Sequence, residues 1–269
     1  MAIYVGTDQI LKIYAGPDVP VPSWSPADFT NVQYWWTADA GVTESGGNIT
    51  AWEDQINGFV VSGSNNPQYT TSATLNGENV VAFNGTNNFV SSHVAPADGI
   101  SGNDITLLSV INLIDVKNGG VIGGASLLAA GNRFWYDTLS GNIRVFDSGM
   151  PGGGGRTLEA SPVATGAKFI KARYDSSAGA LYGAIDTLTE TSLFTGGTTG
   201  TYLWGTADGG PSVAMGATIL NANNPTTVFS GRYVQMEVAE HVWIYDEPSP
   251  AEMDNWKTYV NNKYGTIIS

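Results

Sequence analysis

Tyr233-Val234-Gln235-Met236-Glu237-Val238-Ala239-Glu240-His241-Val242-Trp243-Ile244-Tyr245-Asp246 runs almost directly into Ser249-Pro250-Ala251-Glu252, and this junction decides the fold. The first run is rich in β-branched and aromatic residues, which suit a pleated, half-buried strand. Ser249 and Glu252, with Pro250 at the first helical position, form a capping box. Met253, Trp256 and Val260 recur at a spacing of three and four, so one helix face is apolar and must bury against something. Gly265 stands where a left-handed C-cap residue is expected. The C-terminus therefore reads as a long strand and one helix closing a β-rich body.

Upstream, Asn-Gly and Asp-Gly pairs at 57–58, 76–77, 84–85, 98–99, 118–119 and 208–209 mark turns between β-type runs. Ile105 to Ile114 is nearly all apolar, as a central strand covered on both sides would be. Phe169, Lys171 and Arg173 alternate with Ile170, Ala172 and Tyr174, which predicts one solvated face and one half-buried face. Gly152 to Arg156 resembles a phosphate cradle only superficially: no Lys-Ser/Thr pair or helix follows, and a mobile turn is expected there. Many short strands with Gly-rich turns, and no repeat across the body, predict an all-β jelly-roll sandwich of antiparallel sheets.

Charged residues make up 13% of the chain, while 42% is hydrophobic and 11% aromatic, so a large core and a Gly/Asn/Ser/Thr-rich surface are expected. The net charge is −13, and no Lys or Arg lies between Lys12 and Lys117. Such a surface repels a phosphate backbone and excludes nucleic acid as a partner. It suits solubility, cation binding or a saline medium. With no cysteine, disulfides, thiolate metal sites and thiol catalysis are excluded. No stretch approaches the ~20 apolar residues of a transmembrane helix, and Met1 to Asp8 has neither a basic n-region nor an apolar h-region.

Residues 1–27 read as a unit apart. Ile3-Tyr4-Val5-Gly6 recurs as Ile13-Tyr14-Ala15-Gly16 around a polar turn, which predicts a β-hairpin, and Pro17, Pro20, Pro22 and Pro26 then form a semi-rigid linker. The expected organisation is an attachment arm and linker over 1–27 and one domain over 28–269. Ile3, Tyr4, Val5, Ile10, Ile13 and Tyr14 are the candidate docking residues of the arm.

Taken together, these pieces resemble the concanavalin A-like lectin/glucanase superfamily and, within it, laminin-G-like domains. Tyr34-Trp35-Trp36-Thr37-Ala38-Asp39-Ala40-Gly41-Val42 followed by Ala51-Trp52-Glu53-Asp54 looks like the family's opening W-x-A-D-x-G … W-x-D pattern. Asn76-Gly77 to Val81-Ala82-Phe83-Asn84-Gly85 is similar to its next strand, Ile105 to Val116 to the long strand after that, and Tyr233 to Tyr264 to its closing strand and helix. The resemblance implies a concanavalin A-like jelly roll with an N-terminal hairpin arm and one C-terminal α-helix. Ile3 to Gly16 also resembles the N-terminal segment of many tailed-phage virion proteins.

Glycosidases of the superfamily carry two glutamates on one strand face as nucleophile and acid. Glu237 and Glu240 are the nearest candidates, but their odd spacing sends them to opposite faces unless a bulge intervenes, and the family's central Asp is missing. His93 and His241 are the only histidines, and no Gly-x-Ser-x-Gly elbow accompanies them. His241 is expected to be a hydrogen-bonded structural residue. The resemblance leaves room for calcium, with Asp98 and Asp104 as candidate ligands. Among Tyr34, Trp35, Trp36, Trp52, Trp135 and Trp204, most are expected in the core, and Trp204, between Gly200 and Gly205, is the candidate glycan platform.

The expectation is a non-enzymatic bacteriophage virion protein, capsid decoration or tail-fibre in type, docking by its arm and displaying a lectin-like domain. Its partners would be other virion proteins, copies of itself in a homo-oligomer (a trimer by symmetry) and a host-surface glycan. It would require no cofactor, insert in no membrane, and be made in the host cytoplasm without a signal peptide before reaching the virion. The alternative is a carbohydrate-binding host-receptor adhesin, and the third reading is a degenerate glycoside hydrolase.

Overall fold

The computed structural model describes residues 24–93, 104–116, 121–126, 133–147, 154–160, 162–195, 212–221 and 224–269. Its first strands are β1 (Val32–Thr37), β2 (Val42–Ser45), β3 (Asn48–Glu53), β4 (Val60–Ser64), β5 (Gln68–Ser72), β6 (Glu78–Asn84) and β7 (Phe89–His93). Next come β8 (Ile105–Asp115), β9 (Val121–Ser126), β10 (Arg133–Leu139), β11 (Asn142–Asp147), β12 (Gly154–Glu159) and β13 (Gly166–Asp175). The last are β14 (Ala180–Ile185), β15 (Thr191–Phe194), β16 (Ser212–Met215), β17 (Ala217–Asn221), β18 (Asn224–Tyr233) and β19 (Gln235–Ile244), ahead of helix α1 (Pro250–Tyr264).

All the strand pairings among the described residues are antiparallel, and β19 is the hub of the first layer. It pairs along one edge with β8, and along the other with β6 and then β1. Beyond β8 follow β13, β14 and β15, and beyond β6 follows β5. The second layer runs β2-β3-β4-β7-β16-β9-β10-β11-β12. An Asn48–Gln68 pair between β3 and β5 joins the layers on one side, and β17 and β18 form a separate ribbon. The result is an all-β jelly-roll-like sandwich with one C-terminal helix.

The interior between the layers is built from alternate positions of many strands, including Trp36, Trp52, Phe134, Tyr136, Met236 and Trp243. A second apolar layer covers the outer face of the first sheet, where Leu108, Val110, Phe169, Val242 and Ile244 meet Met253, Trp256, Val260 and Tyr264 of α1. That burial answers the helix's three-and-four pattern. As expected, β8 is covered on both faces, because β13 and β19 flank it and both core layers press on it.

Local motifs act structurally. Trp52 donates its indole N–H to the Thr37 carbonyl at 2.9 Å. Asp54, buried at the end of the W-x-D stretch, accepts backbone N–H bonds from Ile56 (2.8 Å), Asn57 (3.0 Å) and Phe59 (2.5 Å) and so ties off its turn. Trp24 packs edge-on against Phe29 and Tyr259, so the end of the expected linker already rests on the body.

Several expectations are corrected. The Phe169–Lys171–Arg173 face is buried rather than solvated: Phe169 lies under Trp256, while Lys171 and Arg173 are paired with Glu190 at 2.7 and 2.8 Å. Gly154 to Arg156 is strand rather than turn. A Cβ at Gly155 would lie 2.7 Å from the Arg144 guanidinium, so the bare backbone leaves room for Arg144 to reach Asp137. The long closing strand is interrupted at Val234, with β18 ending at Tyr233 and β19 starting at Gln235. Gly265 has the positive φ anticipated for it (+87°), but its ψ of 171° is extended rather than left-handed helical.

Candidate functional site

The two glutamates considered as a catalytic pair do share a face. Between Val238 and Glu240 the register with β8 slips by one, at the point where β19 changes partner from β6 to β1. Met236 and Val238 point into the sandwich, whereas Ala239 and Glu240 both turn towards α1. The bulge therefore brings Glu240 onto the side of Glu237, correcting the expectation from spacing. Access decides their role. Glu240 is 0% exposed. Its carboxylate accepts from Thr37 Oγ1 (3.2 Å), Tyr259 OH (2.7 Å) and Lys263 Nζ (2.8 Å), and from the Trp35 indole and the Tyr264 hydroxyl. Enclosed by these donors and shut off from solvent, it is out of reach of a sugar. Glu237 is held separately, by Asn112 Nδ2 at 2.8 Å.

Lys263 links this centre to Asp39 at 2.6 Å. Burial alone would lower the Lys263 pKa, but the facing Glu240 carboxylate and the other partners outweigh it and raise it above the ordinary 10.5. The same carboxylate, on top of burial, pushes the Tyr259 and Tyr264 hydroxyls up. This is a charged rivet between α1, β1 and β19.

His241 is also 0% exposed and lies in the inner core, stacked on Trp36. The Trp243 indole N–H can only donate, so His241 Nε2, 2.6 Å away, accepts. The proton of the neutral ring is then on Nδ1, which donates to Ser109 Oγ at 2.6 Å, and Ser109 in turn hydrogen-bonds Tyr136 OH. A protonated Nδ1 cannot take a proton from Ser109, so this contact is no nucleophile–base pair. Burial drives the ring's pKa from 6.5 down to about 3, partly offset by a hydrogen bond to the Leu108 backbone. The expected structural histidine is the one found.

Asp104 serves the fold: Oδ1 accepts from the Ser176 amide (2.9 Å) and hydroxyl (3.0 Å), and Oδ2 faces Arg173 at 4.0 Å. Among the described residues no group of three or more His, Asp or Glu is placed to hold a metal ion. Asp98, Trp204 and the arm residues Ile3, Tyr4, Val5, Ile10, Ile13 and Tyr14 lie outside the described residues, as do the side chains of His93 and Trp135. Tyr34, Trp36 and Trp52 are core, and Trp35 is committed to Glu240.

A site that the sequence reading did not single out lies at the open side of the sandwich. Edge strand β12 of the second layer leans there on β13, β14 and β15 of the first, leaving a cleft of about 370 Å³. Leu158 approaches Gly183 so closely that a Cβ on Gly183 would sit 2.8 Å from it. Leu158 and Ile185 supply apolar wall, and Glu159, Lys168, Asp186, Thr187, Thr189 and Thr191 supply charges and hydroxyls.

Asp186 anchors the cleft. It adopts a left-handed φ of +57°, a conformation that Asp tolerates better than most residues. Its Oδ1 accepts from the Phe169 amide at 2.9 Å and its Oδ2 from Lys168 Nζ at 3.1 Å, while its carbonyl accepts from the Ser269 amide and hydroxyl, both at 2.9 Å. Lys168 Nζ is also 3.5 Å from Glu159 Oε2, an enclosed atom with no hydrogen-bond donor among the described residues. Two carboxylates and one ammonium leave the cleft one negative charge. The Asp186-Thr187-Leu188-Thr189-Glu190-Thr191 run was readable as a polar turn, but only the folded chain brings Glu159 and Lys168 to it.

No family model matches the sequence, and neither does any curated protein. Similar folds occur among solved structures. A Trypanosoma rangeli sialidase in complex with 2,3-difluorosialic acid matches at a TM-score of 0.53 and 12% identity, covering 86% of this chain and 33% of that one. The binding domain of botulinum neurotoxin DC in complex with SialylT matches at 0.53 and 7% identity, covering 88% and 52%. A GH54 α-L-arabinofuranosidase soaked with a cyclic sulfate inhibitor matches at 0.50 and 11% identity, covering 90% and 60%. The chain thus spans less than two thirds of each of these proteins. At such identities the likeness concerns fold alone, that of an all-β sandwich.

Proposed function

We propose that the chain is a glycan-recognition domain of the concanavalin A-like, laminin-G-like kind, which binds carbohydrate without cleaving it. The observation that carries this reading is the cleft between β12 and β13–β15. It sets hydroxyls, an ammonium and carboxylates around apolar wall, a combination suited to the hydroxyls and C–H faces of a sugar. The sealing of Glu240 supports recognition over hydrolysis, since the glutamate nearest to a catalytic position meets no solvent. A glycan array with the purified chain is expected to retain a restricted set of glycans, with no reducing ends released on incubation. A blank array sinks the proposal, and so does hydrolysis that survives Glu240→Gln. No metal is required, so the melting temperature should be unchanged by EDTA.

The setting we favour is an exposed position on a tailed-phage particle. Support comes from the repeated apolar segments Ile3-Tyr4-Val5-Gly6 and Ile13-Tyr14-Ala15-Gly16 ahead of a proline-rich linker. Deleting residues 1–23 should abolish incorporation into particles and leave glycan binding intact. Normal incorporation of the truncated chain removes the virion reading and leaves a free-standing adhesin.

A further inference from the structure

The geometry points to the β12–β15 cleft as a site that admits neutral and amino sugars and rejects acidic ones. This rests on the glycan-recognition reading and adds to it the location of the site and the chemical class of its ligand.

Charge selects the class. Glu159 and Asp186 face a single ammonium, Lys168, whose side chain is 8% exposed. Asp186 has both oxygens engaged, by Phe169 and Lys168, and Glu159 Oε2 is enclosed, 3.5 Å from Lys168 Nζ. The Glu159 and Asp186 side chains remain 27% and 35% exposed, so the surface they offer to a ligand is that of an acceptor. A sugar hydroxyl or ammonium donates to it, and the bond is charge-assisted. A uronate or sialate carboxylate brings no donor, and adds a third negative charge beside two others that share one ammonium. The chain's net charge of −13 opposes an anionic glycan from a distance as well.

Shape limits the size. A recess of about 370 Å³ is at the small end for ligand sites, which suits one terminal sugar rather than an extended chain. Leu158 and Ile185 offer surface to the C–H face of a ring, while Thr187, Thr189 and Thr191 line the hydroxyl side. The turn that carries these threonines is pinned through Asp186 to Phe169 and Ser269, so the polar groups are held in place before the ligand arrives.

Amide-resolved NMR titrations of the full chain with methyl glucoside, glucosamine and glucuronate, run beside the glycan array, test this. Shifts confined to Glu159, Lys168 and residues 186–191, with glucosamine and methyl glucoside binding at least about tenfold more tightly than glucuronate, are expected. Glu159→Gln should reduce the preference for glucosamine over methyl glucoside by about tenfold, and Thr189→Val, on the exposed turn, should weaken all binding without affecting folding. Glucuronate binding most tightly in the cleft overturns the class. Shifts elsewhere, with a positive array, overturn the cleft but spare glycan recognition. Silence in both experiments overturns both.

Discussion

Glu240 and His241 are adjacent, both fully buried, and they face opposite sides of one strand, so their environments can be perturbed separately. Removing a partner from a buried ion pair typically costs ~3–5 kcal/mol, because the remaining charge loses compensation. Lys263 keeps Asp39 as a second partner, so Glu240→Ala should cost about 3 kcal/mol in urea unfolding. The double variant Glu240→Gln/Lys263→Met should cost less than the sum of its single changes; strict additivity would mean that the two groups do not interact. His241 makes a pH prediction. Its folded pKa, about 3, lies below its ordinary 6.5, so its contribution to stability is complete above pH 6.5 and is lost as pH falls from there towards 3. The slope is at most ~1.4 kcal/mol per pH unit. His241→Gln should flatten the stability profile over that window, and parallel profiles for the two proteins would refute the assignment. At the alkaline end Lys263 acts in the opposite sense. Its raised pKa means that its contribution is present below 10.5 and fades as pH rises through the folded value.

Helix α1 owes its position to one aromatic cluster and its start to one cap. Trp256 is 0% exposed and stacks on Tyr259 with Phe29 and Phe169 nearby, yet its indole N–H has no hydrogen-bond partner among the described residues. Trp256→Ala should therefore cost ~3–5 kcal/mol through the cavity it leaves, while Trp256→Phe should cost markedly less because no hydrogen bond is lost. Comparing the two midpoints by chemical denaturation checks this, and equal losses would show that the N–H does have a partner. At the N-terminus Ser249 and Glu252 make the reciprocal cap, and Glu252 also accepts from the Thr30 amide at 2.6 Å. Burial works to raise the Glu252 pKa, but the donors of Ser249 and Thr30 outweigh it and hold it at about 2. Its contribution is accordingly present above pH 4.5 and lost on the way down to 2. Glu252 is only half-buried, so the share is small, and Ser249→Ala should cost about 1 kcal/mol.

At the scale of the whole molecule, a net charge of −13 on an all-β sandwich makes self-repulsion a general term opposing the compact state. Raising salt from about 10 mM, where the screening length is ~30 Å, to about 0.1 M, where it is ~10 Å, should raise the melting temperature. The buried pairs of Lys171 and Arg173 with Glu190 are shielded from that screening, so a fall in melting temperature with salt would mean that these pairs are wet. Acid works against the fold twice, through His241 and then Glu252, which places greatest stability at neutral to mildly alkaline pH.

Much of the architecture was legible because it rests on short-range periodicity and turn chemistry. The capping box at Ser249, the apolar stripe of Met253, Trp256 and Val260, the doubly covered run from Ile105 and the structural histidine could all be read from neighbouring residues alone. The failures share a physical cause. Lys171 and Arg173 look solvent-facing until Glu190 pairs with both, and Glu237 and Glu240 look opposed until a change of strand partner inserts a bulge. The candidate glycan site is the extreme case, since Glu159 on β12, Lys168 on β13 and Asp186 in the turn after β14 meet only through the way the two sheets approach at an edge. The sequence by itself determined an all-β chain closed by a capped helix, because hydrogen-bond periodicity and the burial of alternate side chains are local constraints. Only the tertiary structure decided which charges are sealed and which line a cleft, because desolvation and charge pairing depend on residues distant in the chain.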